Sequence, residues 1–232
     1  MTEHPRRDER FDVKHCWQDM ANLDRDHPDV SIEFLHRQMN EEIESLEIAA
    51  RNVTDFTSES WELRMAIAQQ CADEARHAVA FRRLLEARGG HVGQFPVLNF
   101  QFGIMTAIPS LIGRLAVANR SFEASGIDAI QDGINSSRRT NDREFIALFD
   151  AQLADEIQHV LFANIWIKKM IKRDGARAVM ALARAIAQAD AAFKEIVGND
   201  FINYPVADDI RREAGFSEDE IQVAIAMTAN HG

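Results

Sequence analysis

Four stretches of the chain space their apolar residues in alternating steps of three and four, which gathers side chains on one face of a helix. The first opens after Pro28 and carries Ile32, Leu35, Met39, Leu46, Ala49, Val53 and Phe56, with one gap in the stripe filled by Glu42. The second runs to about Arg88 and stops at Gly89-Gly90, a residue pair suited to ending a helix. Its stripe reads Ile67, Cys71, Glu74, His77/Ala78, Phe81 and Leu85. The third covers roughly residues 110–130 and presents Ile112, Leu115, Asn119, Phe122/Glu123 and Ile127. The fourth begins near Asn141, where Asn141 and Glu144 read as a capping box. It presents Phe145, Phe149, Gln152/Leu153, Glu156, His159/Val160, Ala163 and Ile167.

The connecting segments carry turn chemistry. Residues 57–60 supply a turn and N-cap candidates, and 133–140 read as a polar turn. Residues 89–101 read as a crossover loop, packed through Phe95, Val97, Leu98 and Phe100. After Asp174-Gly175 comes an alanine-rich helix over about 177–197 and a loop over 199–205. Ser217 and Glu220 then form a second capping box that opens a short terminal helix. The expected organisation is an arm over residues 1–28, docked through Trp17 and Met20, a four-helix bundle over 29–170, and a helical extension over 171–232 packed on the bundle.

Composition narrows the function classes. The chain has 232 residues, 46% of them hydrophobic and 27% charged, enough apolar matter for a buried core. The net charge of -11, with no visible stripe of Lys and Arg, argues against nucleic-acid binding. Cys16 and Cys71 make no CxxC pair, which excludes a zinc ribbon or a rubredoxin-type iron site. Two free thiols, no apolar signal core and no run of membrane-spanning length read as a cytoplasmic protein without membrane association.

The polar residues that interrupt the stripes carry the chemistry. Residues 72–77 read Ala-Asp-Glu-Ala-Arg-His and residues 154–159 read Ala-Asp-Glu-Ile-Gln-His. On a helix, positions i and i+3 share a face, so Glu74 with His77, and Glu156 with His159, can each bind one ion side by side. Each pair is preceded by another carboxylate on a core stripe. Glu42 lies 32 residues before Glu74 (74 − 42), and Glu123 lies 33 before Glu156 (156 − 123). Two helices and a turn give that separation, which puts each acid level with its Glu-x-x-His partner in an antiparallel hairpin. Glu41, Glu44 and Glu47 compete for the first ligand position, but only Glu42 fits the stripe. A third match, Glu33 and His36, lacks the Ala-Asp context and reads as a surface pair.

Glu on one helix and Glu-x-x-His on the next, twice over, is the ligand rule of the ferritin-like dimetal carboxylate proteins. The segment from Phe34 to His159 resembles that superfamily. The phrases ADEARH, FEASGIDA, ADEIQHVLFANIW and IRREAGFSEDE resemble a branch of uncharacterised bacterial ferritin-like proteins related to tRNA-modifying diiron hydroxylases. The likeness extends over most of the chain beyond its first thirty residues. It implies an all-α, ferritin-like four-helix bundle with additional C-terminal helices and two metal ions, iron first and manganese or zinc as substitutes. Glu74 and Glu156 would bridge the ions, and Glu42 and Glu123 would be terminal. Asp73 and Asp155 would orient the imidazoles from behind. Gln158 stands where that branch has a small residue, which would narrow the site.

The activity this implies is dioxygen activation to hydroxylate, desaturate or N-oxygenate a small organic substrate, with an electron donor that the sequence does not name. Metal handling or peroxide removal, as in ferritins and rubrerythrins, is the competing expectation, and a purely structural metal site is a third. Phe81, Leu115, Phe122 and Phe149 lie near the ligands and read as core packing or as walls of an apolar pocket. Tyr204 reads as a loop anchor. Apolar positions on the alanine-rich helix make a homodimer an expectation.

Overall fold

The computed structural model describes residues 8–24, 26–198 and 204–229. Among them the fold is all-α: the only strands are β1 (Val13–Lys14) and β2 (Val97–Leu98), a two-residue parallel pair. No described helix is long and apolar enough to cross a membrane. The chain divides into two compact units, one within Met1–Ala107 and Ala191–Asn199, the other within Ile108–Asp190 and Asp200–Gly232. The start of the arm expected over residues 1–28 and most of the loop expected over 199–205 lie outside the described residues.

The first unit is built on a hairpin of two long helices, α1 (Val30–Asp55) and α2 (Trp61–Ala87). Ser60 caps α2 by accepting a hydrogen bond from the Leu63 N–H, satisfying one of the donors that every helix start leaves open. The hairpin buries Leu35, Met39, Ile48 and Ala49 of α1 with Leu63, Ile67, Phe81 and Leu85 of α2. The segment after Gly90 is more ordered than a crossover loop. It contributes β2 and a short helix, α3 (Phe100–Ala107), whose Phe102 N–H donates to the Glu44 carboxylate at 3.2 Å. An acidic side chain at a helix N-terminus meets both the open donors and the positive end of the dipole.

The pair Glu33 and His36 is not a surface pair. Glu33 binds Arg37 within its own helix, and His36 is fully buried. The His36 ring lies between Phe11 and Phe95, and its Nε2 accepts a hydrogen bond from the Gly93 N–H at 2.9 Å. It therefore fastens the segment before β2 to α1. Burial, and secondarily His91, pull its pKa down from the ordinary histidine value to about 4.

In the second unit α4 (Leu111–Val117) is buried on every side, as its largely apolar composition requires. Ser110 caps it, and Gly113 lets it approach α7 (Ala176–Val197) closely. A Cβ on Gly113 would stand 2.6 Å from the Ala185 methyl. The helix continues through a π-helical turn, Ala118–Glu123, into α5 (Ala124–Thr140). Residues 133–140 are thus helix rather than the expected turn. Gly133 faces the Phe149 ring, 2.8 Å from where a Cβ would sit, so this glycine permits packing against α6 (Arg143–Asp174) instead of breaking the helix. Asn141 ends α5 in the left-handed conformation and Asp142, not Asn141, caps α6 through the Phe145 N–H. Two short helices, α8 (Asp208–Glu213) and α9 (Glu218–Ala229), complete the unit. The capping box at Ser217 and Glu220 forms as read from the sequence.

A neutral buried histidine makes stability depend on pH. The unfolded chain takes up the His36 proton near pH 6.5 and the folded chain only near 4, so this contribution is complete above about pH 6.5 and is lost as pH falls towards 4. The slope is at most about 1.4 kcal/mol per pH unit. Urea unfolding at pH 7 and pH 5 should therefore show a smaller loss of stability for His36→Gln than for the wild type.

Candidate metal centre

The Glu-x-x-His motif of α2 points inward as its spacing requires. Glu74 and His77 are 1% and 5% exposed, and Glu42 on the facing turn of α1 is 6% exposed. The His77 Nδ1 lies 3.1 Å from the Glu74 Oε2 and 3.3 Å from the Glu42 Oε2. One ligand atom from each of the three residues lies within 4.8 Å of the other two. Two carboxylates and one imidazole aimed at a common point form a mixed oxygen and nitrogen donor set suited to a divalent transition metal.

The second unit repeats the arrangement. Glu156 and His159 are buried on α6, with the His159 Nδ1 3.4 Å from the Glu156 Oε2. Glu123, half-buried, completes the triad, again with ligand atoms within 4.8 Å of one another. Both imidazoles thus turn the same nitrogen, Nδ1, towards the acids. Glu123 is the last residue of the π turn. Such a turn takes in one residue more than an α turn and rotates the side chains beyond it, and turns of this kind gather at functional sites.

Of the competing acids, Glu41 is held by Arg37 and Gln38 on its own helix, and Glu44 accepts from the start of α3. Asp73 is buried and pairs with Arg76 and Gln69 along α2, while Asp155 is half-buried on α6. Phe81, Leu115 and Phe149 are core residues. Phe122 and Tyr204 are half-buried. Both cysteines are free. Burial, with Glu74 adding to it, pushes the Cys71 thiol pKa up and keeps it protonated.

The carboxamides beside the ligands escape a search confined to metal-binding residue types. Gln70 donates to Glu74 at 3.2 Å and Asn119 donates to Glu123 at 2.7 Å. Both sit four residues before their glutamate, and Gln38 and Gln152 stand at the same offset before Glu42 and Glu156. That repeated i, i+4 spacing is visible in the sequence. An amide donor at this position orients a carboxylate without neutralising it, leaving its charge for a cation.

Fold and site together define an all-α protein with two Glu/Glu/His triads, buried except for the half-buried Glu123, each able to hold a metal ion. A family model described as "Protein of unknown function (DUF455)" matches residues 1–222, and the chain belongs to that family. No curated protein and no solved structure matches it.

The geometry separates the two buried acids of α1. Glu42→Leu should lower the Fe(II) retained per chain after gel filtration. Glu44→Leu should leave metal content at the wild-type value, yet cost about 1–3 kcal/mol in urea unfolding by stranding the Phe102 N–H.

Proposed function

We propose that the two triads belong to one dimetal centre and that the protein is a dioxygen-activating diiron oxidoreductase acting on a small organic substrate. The observation that carries the reading is the duplicated triad: two glutamates and an Nδ1-presenting histidine, in the same order in each half of the chain. Four ionised carboxylates balance two divalent cations, so the filled centre would be neutral, which a water-poor interior favours. When bound, the iron pair would supply the electrons for dioxygen reduction and the oxidising power for the substrate.

In this reading the chain's own residues have separate tasks. Glu42, Glu74, Glu123 and Glu156 would supply the carboxylates that hold the ions, Glu74 and Glu156 being the pair shared between them. His77 and His159 would each give one nitrogen. Asp73 and Asp155 orient the imidazoles, and Gln70 and Asn119 hold their glutamates in line. The apolar residues flanking the ligands exclude water. Manganese or zinc fits the same donors, and iron is preferred because carboxylate-rich sites accommodate a change of oxidation state by shifting binding mode. The proposed partners are dioxygen, a small-molecule substrate and an electron donor, in the cytoplasm, with a homodimer as the assembly.

Protein purified without chelator should carry about two ions per chain. Glu74→Ala and His159→Ala should each lose at least one. After anaerobic Fe(II) loading, admission of air should consume dioxygen and raise a new near-ultraviolet absorption in the wild type only. Unchanged metal content in both variants would contradict the assignment, and absence of oxygen uptake would reduce the centre to a structural one.

A further inference from the structure

The π turn that ends on Glu123 is gripped from outside by the C-terminal segment. Arg120, within that turn, forms an ion pair with Glu220, and its guanidinium lies 5.0 Å from the centre of the Phe216 ring. Arg211 lies over the same ring at 5.5 Å. It donates to both oxygens of Asp128, at 2.6 and 3.1 Å, and to the carbonyl of Ala124 at 3.3 Å. Ala124 directly follows Glu123. The two arginines therefore bracket the glutamate, one three residues before it and one at the residue after. The Ala207 N–H also reaches Asp128, at 2.9 Å.

Apolar packing repeats the message. Ala124 and Ile127 of α5, Ile157 and Val160 of α6, and Ala214, Phe216 and Ile221 form one buried cluster. Ile157 follows Glu156 and Val160 follows His159, so the chain neighbour of every ligand in this triad is packed against the C-terminal segment. Asn164 fixes the segment further by donating to the Ala214 carbonyl at 2.9 Å, and Gly215 makes the turn there with a positive φ.

We propose that the segment from Ala207 to Ile221 is a positioning element for the metal centre, with the Arg120–Glu220 pair and the Phe216 ring fixing the π turn in the register that brings Glu123 to Glu156 and His159. A π turn is rare and competes with the α-helical register. A slip of one residue rotates a helical side chain by about 100°, enough to carry Glu123 off the face it shares with Asn119. An ion pair and a ring seated on the outer side of the turn oppose that slip. Glu220 suits the task because its other oxygen is already fixed by Ser217 in the capping box of α9. Arg120 and Glu220 are thus positioning residues, acting on the ions through Glu123.

The proposal rests on the dimetal reading, and one experiment tells the two apart. The full-length protein is titrated with Co(II), following the visible spectrum and the stoichiometry, alongside far-ultraviolet circular dichroism. The wild type should take up two ions. In Arg120→Met, one of the two affinities should fall at least tenfold while the other stays within about twofold, with helicity unchanged. Arg120→Lys, which keeps a cation for Glu220 and the Phe216 ring, should lose far less. Glu218→Gln, which disrupts an exposed pair with Arg212 in the same segment, should leave both affinities unaltered. Both affinities unchanged in Arg120→Met, or both lowered together with loss of helicity, would overturn the positioning role. A wild type that binds no cobalt would overturn the metal centre itself and this proposal with it.

Discussion

Buried negative charge is the constraint on which this structure turns. An ionised carboxylate removed from water costs several kcal/mol unless an opposite charge or a set of donors meets it. Here Glu42 and Glu74 in one unit, and Glu156 in the other, are almost wholly inaccessible to solvent. Their named neighbours, His77, His159 and the Gln70 amide, supply orientation and a titratable nitrogen rather than a fixed positive charge. Glu44 illustrates the contrast: an equally buried acid, but one turned to the start of α3. The first arrangement can hold a metal ion, whereas a helix N-terminus meets the second.

The residues that gather in the two triads were legible because each interrupts an apolar stripe. Glu42, Glu74, His77, Glu156 and His159 stand where the three-four spacing demands a hydrophobic residue, and the repeated Ala-Asp-Glu-x-x-His context tied them together. The all-α class followed from the same stripes. Glu123 was legible from its 33-residue spacing to Glu156, although it shares its stripe position with Phe122. The π turn that Glu123 ends was not legible, since paired stripe positions such as His77/Ala78 occur in regular α-helix as well.

Other features could not be read, because distant parts of the chain create them. Gly133 looks like a turn residue until the Phe149 ring is seen against it. His36 looks like a surface residue until Phe11, Gly93 and Phe95 enclose it. Local pattern cannot tell a glycine that bends the chain from one that admits a neighbour, nor an exposed histidine from one that pins a loop. Likewise no local pattern marks Arg120 or Arg211, and Glu220 reads only as a capping-box residue, since their further contacts span some eighty to a hundred residues. The C-terminal segment, an appendage by sequence, is joined through them to the π turn and α5 beside Glu123, and through Asn164, Ile157 and Val160 to the helix that carries Glu156 and His159.

Whether the two triads serve one pair of ions decides the account. Anomalous diffraction from crystals of the Mn(II)-loaded protein tests this directly. Two peaks about 3.5–4 Å apart are expected, one beside His77 and the other beside His159, with Glu74 and Glu156 touching both. Two peaks far from each other, or none at the triads, would contradict it.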